Sequence, residues 1–196
     1  MFSKILIANR GEIALRILRS CRELGIATVA VYSTVDRDAL NVQLADEAVC
    51  VGDAPSSKSY LNVPNILAAA TSRGADAIHP GYGFLSENAD FAKAVTDAGI
   101  TWVGPPPEAI AAMGDKLAAK RTMVDAEVPT LPSIEVSESV DVDSIAEEIG
   151  FPLLVKASAG GGGKGMRVVD DAADLENAIS GAKREALNAF GNDTVF

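Results

Sequence analysis

Cysteine, histidine and basic residues are scarce in this chain. Its 196 residues contain two cysteines and one histidine, and 17 lysines and arginines stand against 27 acids. Two cysteines cannot build a disulfide framework or a four-cysteine zinc site. A formal net charge of −10 argues against a nucleic-acid partner, which needs a basic surface. The apolar surroundings of Cys21 and Cys50 predict two buried, reduced thiols.

Long hydrophobic runs are also lacking. Only four consecutive apolar residues precede Asn9, too few for the core of a signal peptide, and no run approaches the length of a membrane span. We therefore expect a cytoplasmic protein with no membrane partner. The composition, 48% hydrophobic and 22% charged, is typical of a globular protein with a buried core.

The first hundred residues alternate β-branched runs with amphipathic segments, a pattern typical of βαβ units around a parallel sheet. In the first helix the apolar residues recur at the helical period, and Gly25 supplies the stop. Five strands are predicted, at 5–8, 28–32, 48–51, 77–79 and 101–103. Three helices are predicted between them, at 12–24, 63–73 and 89–98.

Two proline-rich breaks divide the rest of the chain. The first, Pro105-Pro106-Pro107, ends the sheet unit because proline neither continues a helix nor donates to a sheet ladder. The second lies at 128–132. Short helices are predicted at 107–113 and 116–125, with Asp115 as the N-cap of the second.

After the second break we expect a smaller α+β lobe. Its predicted elements are a helix at 141–149, a strand at 152–157, a glycine loop, a strand at 166–169 and a helix at 172–189. The last three residues, 194–196, are β-prone and no capping residue follows them, which predicts a fragment that ends as a strand starts.

The turn after the first strand argues against a dinucleotide cofactor. It holds one glycine, Gly11, where nicotinamide and flavin sites carry three. The second strand also lacks an acid at its end for a ribose hydroxyl, since the first acid is Asp36. We therefore expect the sheet to be a scaffold whose strand ends help to form a substrate crevice.

The loop 79–88 holds the only histidine and the carboxylate of Glu87. Two glycines and a proline give its backbone an unusual path. One interpretation is a substrate loop, and the other is a turn in which Ser86 or Asn88 caps the next helix. A single histidine cannot support a multi-histidine metal site, so no metal-binding residue is predicted.

A run of four glycines, 160–163, lies between two apolar strand-like segments and predicts a hairpin with a long tip. Such a run loses much chain entropy on folding, and a structural turn needs only two residues. Backbone N–H groups there could close on phosphate oxygens while Lys156 neutralises their charge. The alternative is a flexible tip with a solvated Lys164.

Four motifs, in this order along the chain, resemble those of the biotin carboxylases, members of the ATP-grasp superfamily. They are Asn-Arg-Gly-Glu-Ile-Ala at 9–14, His-Pro-Gly-Tyr-Gly-Phe-Leu-Ser-Glu-Asn at 79–88, Gly-Asp-Lys at 114–116 and Lys-Ala-Ser-Ala-Gly-Gly-Gly-Gly-Lys-Gly-Met at 156–166. The hairpin alone indicates only an ATP-grasp protein, because carbamoyl-phosphate synthetase is similar there. The loop 79–88 narrows the resemblance to biotin carboxylases.

The resemblance implies an α/β fold with three parts: a Rossmann-like parallel-sheet domain at 1–106, a helical linker at 107–127 and a lid lobe at 128–196. The lid lobe would be part of an incomplete ATP-grasp domain. The implied enzyme is an ATP-dependent carbon–nitrogen ligase that carboxylates biotin on a carrier protein with bicarbonate, through carboxyphosphate. This chain would be its N-terminal part and would be inactive alone.

The resemblance also implies cofactors and partners. ATP and Mg²⁺ are the cofactors, with the metal ligands beyond this chain, and biotin is a carrier-bound substrate. The partners are a biotin carboxyl carrier protein or domain, a carboxyltransferase subunit or domain, and other copies of the full-length chain in a homo-oligomer. Such enzymes serve acyl-CoA carboxylases, including those of fatty acid biosynthesis.

Site residues follow from the same resemblance. Lys116 and Lys156 would bind the nucleotide phosphates, and Glu87 would face the active site. The hairpin and its edge would contribute Gly160, Gly161, Gly162, Gly163, Gly165 and Met166. Two alternatives stay open: another ATP-grasp ligase such as carbamoyl-phosphate synthetase, and a non-catalytic assembly fragment that uses the arginine face of the first helix as an oligomer contact.

Overall fold

The structure is a computed structural model that describes residues 2–114, 116–136, 141–158 and 166–196. The chain divides into two compact units, Met1–Ala111 and Ala112–Phe196. Among the helices that the structure describes, none combines the length and the apolar character of a membrane span.

A five-stranded parallel sheet forms the centre of the first unit, in the order β3-β2-β1-β4-β5. Its strands are β1 (Lys4–Ile7), β2 (Ala27–Ser33), β3 (Glu47–Gly52), β4 (Ala77–His79) and β5 (Thr101–Trp102). The parallel α/β fold predicted from the alternating pattern is confirmed. All five strands lie within one or two residues of their predicted positions.

The helices of this unit are α1 (Gly11–Glu23), α2 (Leu40–Leu44), α3 (Val63–Ser72) and α4 (Ala89–Asp97), with 3₁₀ turns at Thr34–Asp36 and Ser56–Lys58. Helix α1 buries the apolar face that its periodicity predicts, including Ile17 and Leu18. Gly25 follows it with φ +71°, and its N–H donates to the Arg22 carbonyl at 3.2 Å. The α2 helix and both 3₁₀ turns were not predicted.

Hydrophobic side chains cover both faces of the sheet. Successive residues of β1 alternate between the faces: Leu6 joins one cluster, with Ile66 and Phe91, and Ile7 joins the other, with Leu18. Each fully buried aliphatic side chain of this kind contributes about 1.5–3 kcal/mol of transfer free energy. The core therefore holds the strands rigidly at the edge where the loops begin.

The second unit has its own small core. Its elements are α6 (Lys116–Asp125), α7 (Val142–Glu148), β6 (Leu153–Val155), β7 (Arg167–Val169) and α8 (Ala172–Phe190), while α5 (Pro107–Gly114) runs across the boundary between the units. Strands β6 and β7 are antiparallel, as the predicted hairpin requires. Their inner side chains pack with Leu175 and Ile179 of α8.

The segment 194–196 pairs with 156–158 along the other edge of β6. The Lys156 N–H donates to the Phe196 carbonyl at 2.8 Å, and the Phe196 N–H donates back to the Lys156 carbonyl at 2.9 Å. The bridge between Ala157 and Val195 is antiparallel. The polypeptide that carries Lys156 is therefore held on both sides.

One cysteine prediction is wrong. Cys21 is buried, but Cys50 is exposed. Cys50 lies on β3, the edge strand of the sheet, and its neighbour Val51 is the residue that points into the core. An apolar run on an edge strand buries one face and leaves the other in contact with solvent, which is why the run around Cys50 misled the prediction.

Candidate functional site

The ends of β1 and β4 lie side by side, with Ile7 opposite His79. From β1 the chain continues to β2, which lies on one side of β1, and from β3 it crosses to β4, which lies on the other side. The carboxyl ends of β1 and β4 therefore mark a topological switch point of the sheet. Open α/β sheets bind ligands at such points. The turn 8–13 and the loop 79–88 therefore meet where a substrate crevice is expected.

Asn9 ties the loop to the end of β1. Its side chain is buried, and its Nδ2 donates to the carbonyls of Pro80 at 2.7 Å and Tyr82 at 2.8 Å. Its Oδ1 accepts the Arg10 N–H at 2.9 Å. The Tyr82 hydroxyl makes a further contact by donating to Glu12 Oε2 at 2.6 Å. The first and second sequence motifs thus form one structural unit.

His79 has a structural place in this loop. Its Nδ1 accepts the Gly81 N–H at 3.0 Å, and burial lowers the pKa of the imidazole below its ordinary value. A neutral ring that accepts a backbone hydrogen bond stabilises the turn. This geometry favours a turn-forming role for His79 over general-base chemistry.

Glu87 and Asn88 follow the turn. The Asn88 Oδ1 accepts the Phe91 N–H at 2.7 Å and caps α4, so Asn88, not Ser86, is the cap. Glu87 is exposed, and no described side chain or backbone group pairs with its carboxylate. It is available to a ligand, and its role stays a prediction.

A cluster around Arg10 was missed by the sequence analysis. The Tyr60 hydroxyl donates to Asp36 Oδ2 at 2.6 Å, and the Arg10 guanidinium reaches the same oxygen at 3.3 Å. The Tyr60 hydrogen bond holds the pKa of Asp36 below its ordinary value, and burial raises the pKa of Tyr60 to about 12. An open cavity of about 350 Å³ is lined by residues 9–13 and 82–84.

In the second unit Lys156 follows β6 on the face opposite the core. Leu153 and Val155 are buried, whereas Leu154 is exposed and pairs across the hairpin with Val168, itself 69% exposed. The strand period of two puts Leu154 and Lys156 on the same face. Among the described residues no group pairs with the Lys156 ammonium.

The groups on this exposed face are of the kinds that contact nucleotides. Leu154, Val168 and the exposed Met166 offer an apolar surface to a base, and Lys156 offers a positive charge to phosphates. Leu154 and Val168 were not predicted, although the spacing of Leu154 from Lys156 on a strand carries the signal. A cavity of about 460 Å³ in this unit touches Leu154 and Lys156, but its lining also includes the core residues Val155, Leu175 and Ile179, so it does not mark the exposed face.

Lys116 lies near the end of β6, where Lys156 also lies. Its Nζ donates to the Ser158 carbonyl at 3.3 Å, and Ser158 is buried two residues beyond Lys156. The structure therefore brings together the two lysines that the resemblance assigns to phosphate binding. Asp115 and the hairpin residues Gly160, Gly161, Gly162, Gly163 and Gly165 lie outside the described residues.

Across residues 2–114, 116–136, 141–158 and 166–196, no three His, Cys, Asp or Glu side chains come together as a set that could hold a metal ion.

Two known protein families match successive parts of the chain. Residues 1–110 match the family model of the biotin carboxylase N-terminal domain. The chain belongs to the biotin carboxylase family. Residues 115–196 match the model of the ATP-binding domain of the carbamoyl-phosphate synthase L chain. The resemblance drawn from the four motifs is confirmed.

Relatives from this family are similar over the whole chain. The biotin carboxylases of Nostoc sp. and Haemophilus influenzae are 59% and 57% identical to it over 197 and 199 residues, and both alignments cover 100% of this chain but 44% of the relative. The chain thus spans less than half the length of these relatives.

Solved structures of biotin carboxylases are also similar over the whole chain. A Campylobacter jejuni biotin carboxylase in complex with βγ-ATP superposes with a TM-score of 0.90 at 48% identity, covering 100% of this chain and 44% of that one. The biotin carboxylase domain dimer of Hydrogenobacter thermophilus 2-oxoglutarate carboxylase, with MgADP, ADP and bicarbonate, gives 0.89 at 47% identity, with coverage of 100% and 43%.

Proposed function

We propose that this chain is the N-terminal part of a biotin carboxylase. In the complete enzyme ATP would phosphorylate bicarbonate to carboxyphosphate, which would release phosphate as its CO₂ passes to N1′ of biotin on a carrier protein. Family membership over residues 1–110 supports this function. Its ATP-binding part is supported by the placement of Lys156 and Lys116 at one strand end, beside an exposed apolar face.

The residues of this chain would bind and orient ATP. Phosphoryl transfer depends on positioning and on neutralising charge at the phosphate oxygens. Lys156 and Lys116 would supply positive charge, the hairpin from Gly160 to Gly165 would supply backbone N–H groups, and Met166 would lie at its edge. Glu87, which lies in the first unit, would face the active site.

The proposed nucleotide-binding elements all fall after the first proline break. We therefore propose that the chain is organised as a domain at 1–106, a linker at 107–127 and part of an ATP-grasp domain at 128–196. The compact units Met1–Ala111 and Ala112–Phe196 support a boundary near the first proline break.

Mg²⁺ would accompany the nucleotide, as it does in the Hydrogenobacter thermophilus structure with MgADP. When bound, the ion would neutralise charge on the phosphates. The described residues offer no set of ligands for it, so we assign no residue of this chain to the metal.

Partners follow from the proposed reaction. A carrier protein or domain would present biotin, a carboxyltransferase subunit or domain would receive the carboxyl group, and bicarbonate would be the carbon source. A second copy of the full-length chain is also proposed, since the Hydrogenobacter thermophilus domain is a dimer. The cytoplasmic location stays a prediction.

One observation favours a second candidate. The model matched by residues 115–196 is that of a carbamoyl-phosphate synthase, an ATP-grasp enzyme with a different acceptor. The two candidates share the nucleotide unit and differ in the acceptor. The match of residues 1–110 favours the biotin carboxylase.

The acceptor decides between them. ADP release by a full-length enzyme that contains this chain would be measured with ATP, Mg²⁺ and bicarbonate, and either free biotin or ammonia as the acceptor. We expect biotin to stimulate ADP release and to gain a carboxyl group, and ammonia to have no effect. Stimulation by ammonia with no response to biotin would contradict the proposal.

A further inference from the structure

Arg10 lies against two stacked aromatic rings. The Tyr60 and Phe84 rings are nearly parallel, with an interplanar angle of 8° and centroids 5.2 Å apart. The Arg10 guanidinium carbon lies 5.3 Å from the Tyr60 centroid and 5.6 Å from the Phe84 centroid. Both distances fall within the range of cation–π attraction. One side chain thus contacts the ring of a core residue and the ring of a loop residue.

Asp36 fixes the position of this guanidinium. Its Oδ2 accepts from the Tyr60 hydroxyl at 2.6 Å, from Ser33 Oγ at 2.8 Å and from Arg10 at 3.3 Å. Tyr60 is 1% exposed, and its hydroxyl also accepts the Ser33 N–H at 3.0 Å. The partners of Arg10 are therefore anchored in the rigid part of the sheet unit.

Phe84 is the loop residue that needs such support. Its φ is +44°, a left-handed conformation that a bulky side chain rarely adopts and that persists only where surrounding contacts hold it. The next residues form a tight turn: the Ser86 N–H donates to Gly83 at 2.9 Å and the Asn88 N–H donates to Leu85 at 3.1 Å. The backbone conformation at Phe84 therefore sets the direction in which this turn presents Glu87.

We propose that Arg10 and Tyr60 are positioning residues that hold Phe84, and through it the loop 79–88, in its substrate-facing conformation. The consequence for turnover rests on the proposed function, whereas the consequence for loop order does not. Arginine suits this place better than lysine, because its planar guanidinium can cover an aromatic ring and still donate to a carboxylate.

The test compares Arg10→Met with a matched control, Arg37→Met, in the full-length enzyme. Arg37 is exposed, lies next to Asp36 in sequence, and makes no side-chain hydrogen bond or ion pair with a described residue. Hydrogen exchange of the Ser86 and Asn88 amides reports loop order. We expect exchange at both to be at least about fivefold faster in Arg10→Met, and unchanged in Arg37→Met.

Turnover gives the second readout. We expect kcat with biotin to fall at least about tenfold in Arg10→Met, with KM for ATP within about twofold of wild type, because the proposed nucleotide residues all lie in the other unit. Arg10→Lys keeps the charge and should recover part of both losses. A structural defect of the whole enzyme would instead raise KM for ATP and lower thermal stability together.

A double-mutant cycle tests whether Arg10 acts on the loop through Phe84. Phe84→Leu removes the ring that Arg10 contacts, so Arg10→Met should add little further exchange in that background. Equal effects of Arg10→Met on the two backgrounds would overturn the proposal, as would loop exchange in Arg10→Met that matches Arg37→Met. If the wild-type enzyme shows no biotin-dependent turnover, the proposed function fails and the exchange data alone decide this proposal.

Discussion

At the scale of single residues, Gly81 sets how closely the loop 79–88 approaches α1. Its φ is +68°, and an added Cβ would lie 2.9 Å from Ile13 Cγ1 and 3.0 Å from Asn9 Nδ2. Gly83 has a similar φ of +69°, but nothing lies within 4 Å of its added Cβ. Substitution of either glycine introduces backbone strain, but only substitution of Gly81 also introduces crowding.

We expect Gly81→Ala to lower the free energy of unfolding by about 2–4 kcal/mol, because left-handed strain and overpacking add. Gly83→Ala should cost only about 1–2 kcal/mol, since it carries the strain alone. Urea unfolding followed by the fluorescence of Trp102, the single tryptophan, reports on the first unit. Equal costs for the two variants would show that the Gly81 contact does not matter.

Asp36 should make the stability of the first unit depend on pH. Hydrogen bonding by the Tyr60 hydroxyl, above all, lowers the pKa of Asp36 below its ordinary value of 3.8. A carboxyl whose pKa is depressed by folding stabilises the protein above its unfolded pKa and loses that contribution as the pH falls through its folded pKa.

The free energy of unfolding of the wild type should therefore exceed that of Asp36→Asn by a constant amount above about pH 5. This difference should shrink as the pH falls below about 4. Denaturant unfolding at a series of pH values measures it. A margin that stays constant down to the acid transition would contradict the hydrogen-bonded, ionised Asp36.

At the scale of elements, the strands of the sheet could be predicted because each is a short apolar run between turn residues. Helix α2 could not. It has five residues, and its N-cap, Ala39, offers no side-chain hydrogen bond, so neither periodicity nor a cap marks it. Its form depends on neighbouring tertiary structure.

The candidate site shows the same limit. Lys156 was identified because the hairpin motif is local in sequence. Arg10, Asp36, Tyr60 and Phe84 are far apart in sequence, and only the folded sheet brings them together. Sequence reasoning could place Arg10, Asp36 and Phe84 after predicted strands, but it gave Tyr60 no role and had no signal that these residues touch.

Helix α4 gives a test at this scale, since two residues competed for its N-cap. The Asn88 side chain accepts from the Phe91 N–H, while Ser86 makes no side-chain hydrogen bond to a described residue. We expect Asn88→Ala to cost about 1 kcal/mol and Ser86→Ala less than about 0.5 kcal/mol. A larger cost for Ser86→Ala in thermal or urea unfolding would reassign the cap.

At the scale of the whole molecule, the residues proposed to function fall in both units. The first unit presents the loop 79–88 at its switch point, and the second presents Lys116 and Lys156 beside an apolar face. The four motifs assigned these residues from the sequence, because each motif is short and local. The detail of the glycine hairpin lies outside the described residues, so the nucleotide role rests on the lysines.

ATP binding by the full-length enzyme tests that role most directly, with Lys156→Gln compared with Lys183→Gln at equilibrium. Lys183, on α8, is half-buried like Lys156 and pairs with no described residue. A charge-assisted hydrogen bond is worth about 1.5–3 kcal/mol, so Lys156→Gln should weaken ATP binding about 10- to 150-fold while Lys183→Gln stays within about twofold. ATP binding by Lys156→Gln as tight as that of wild type would contradict the account.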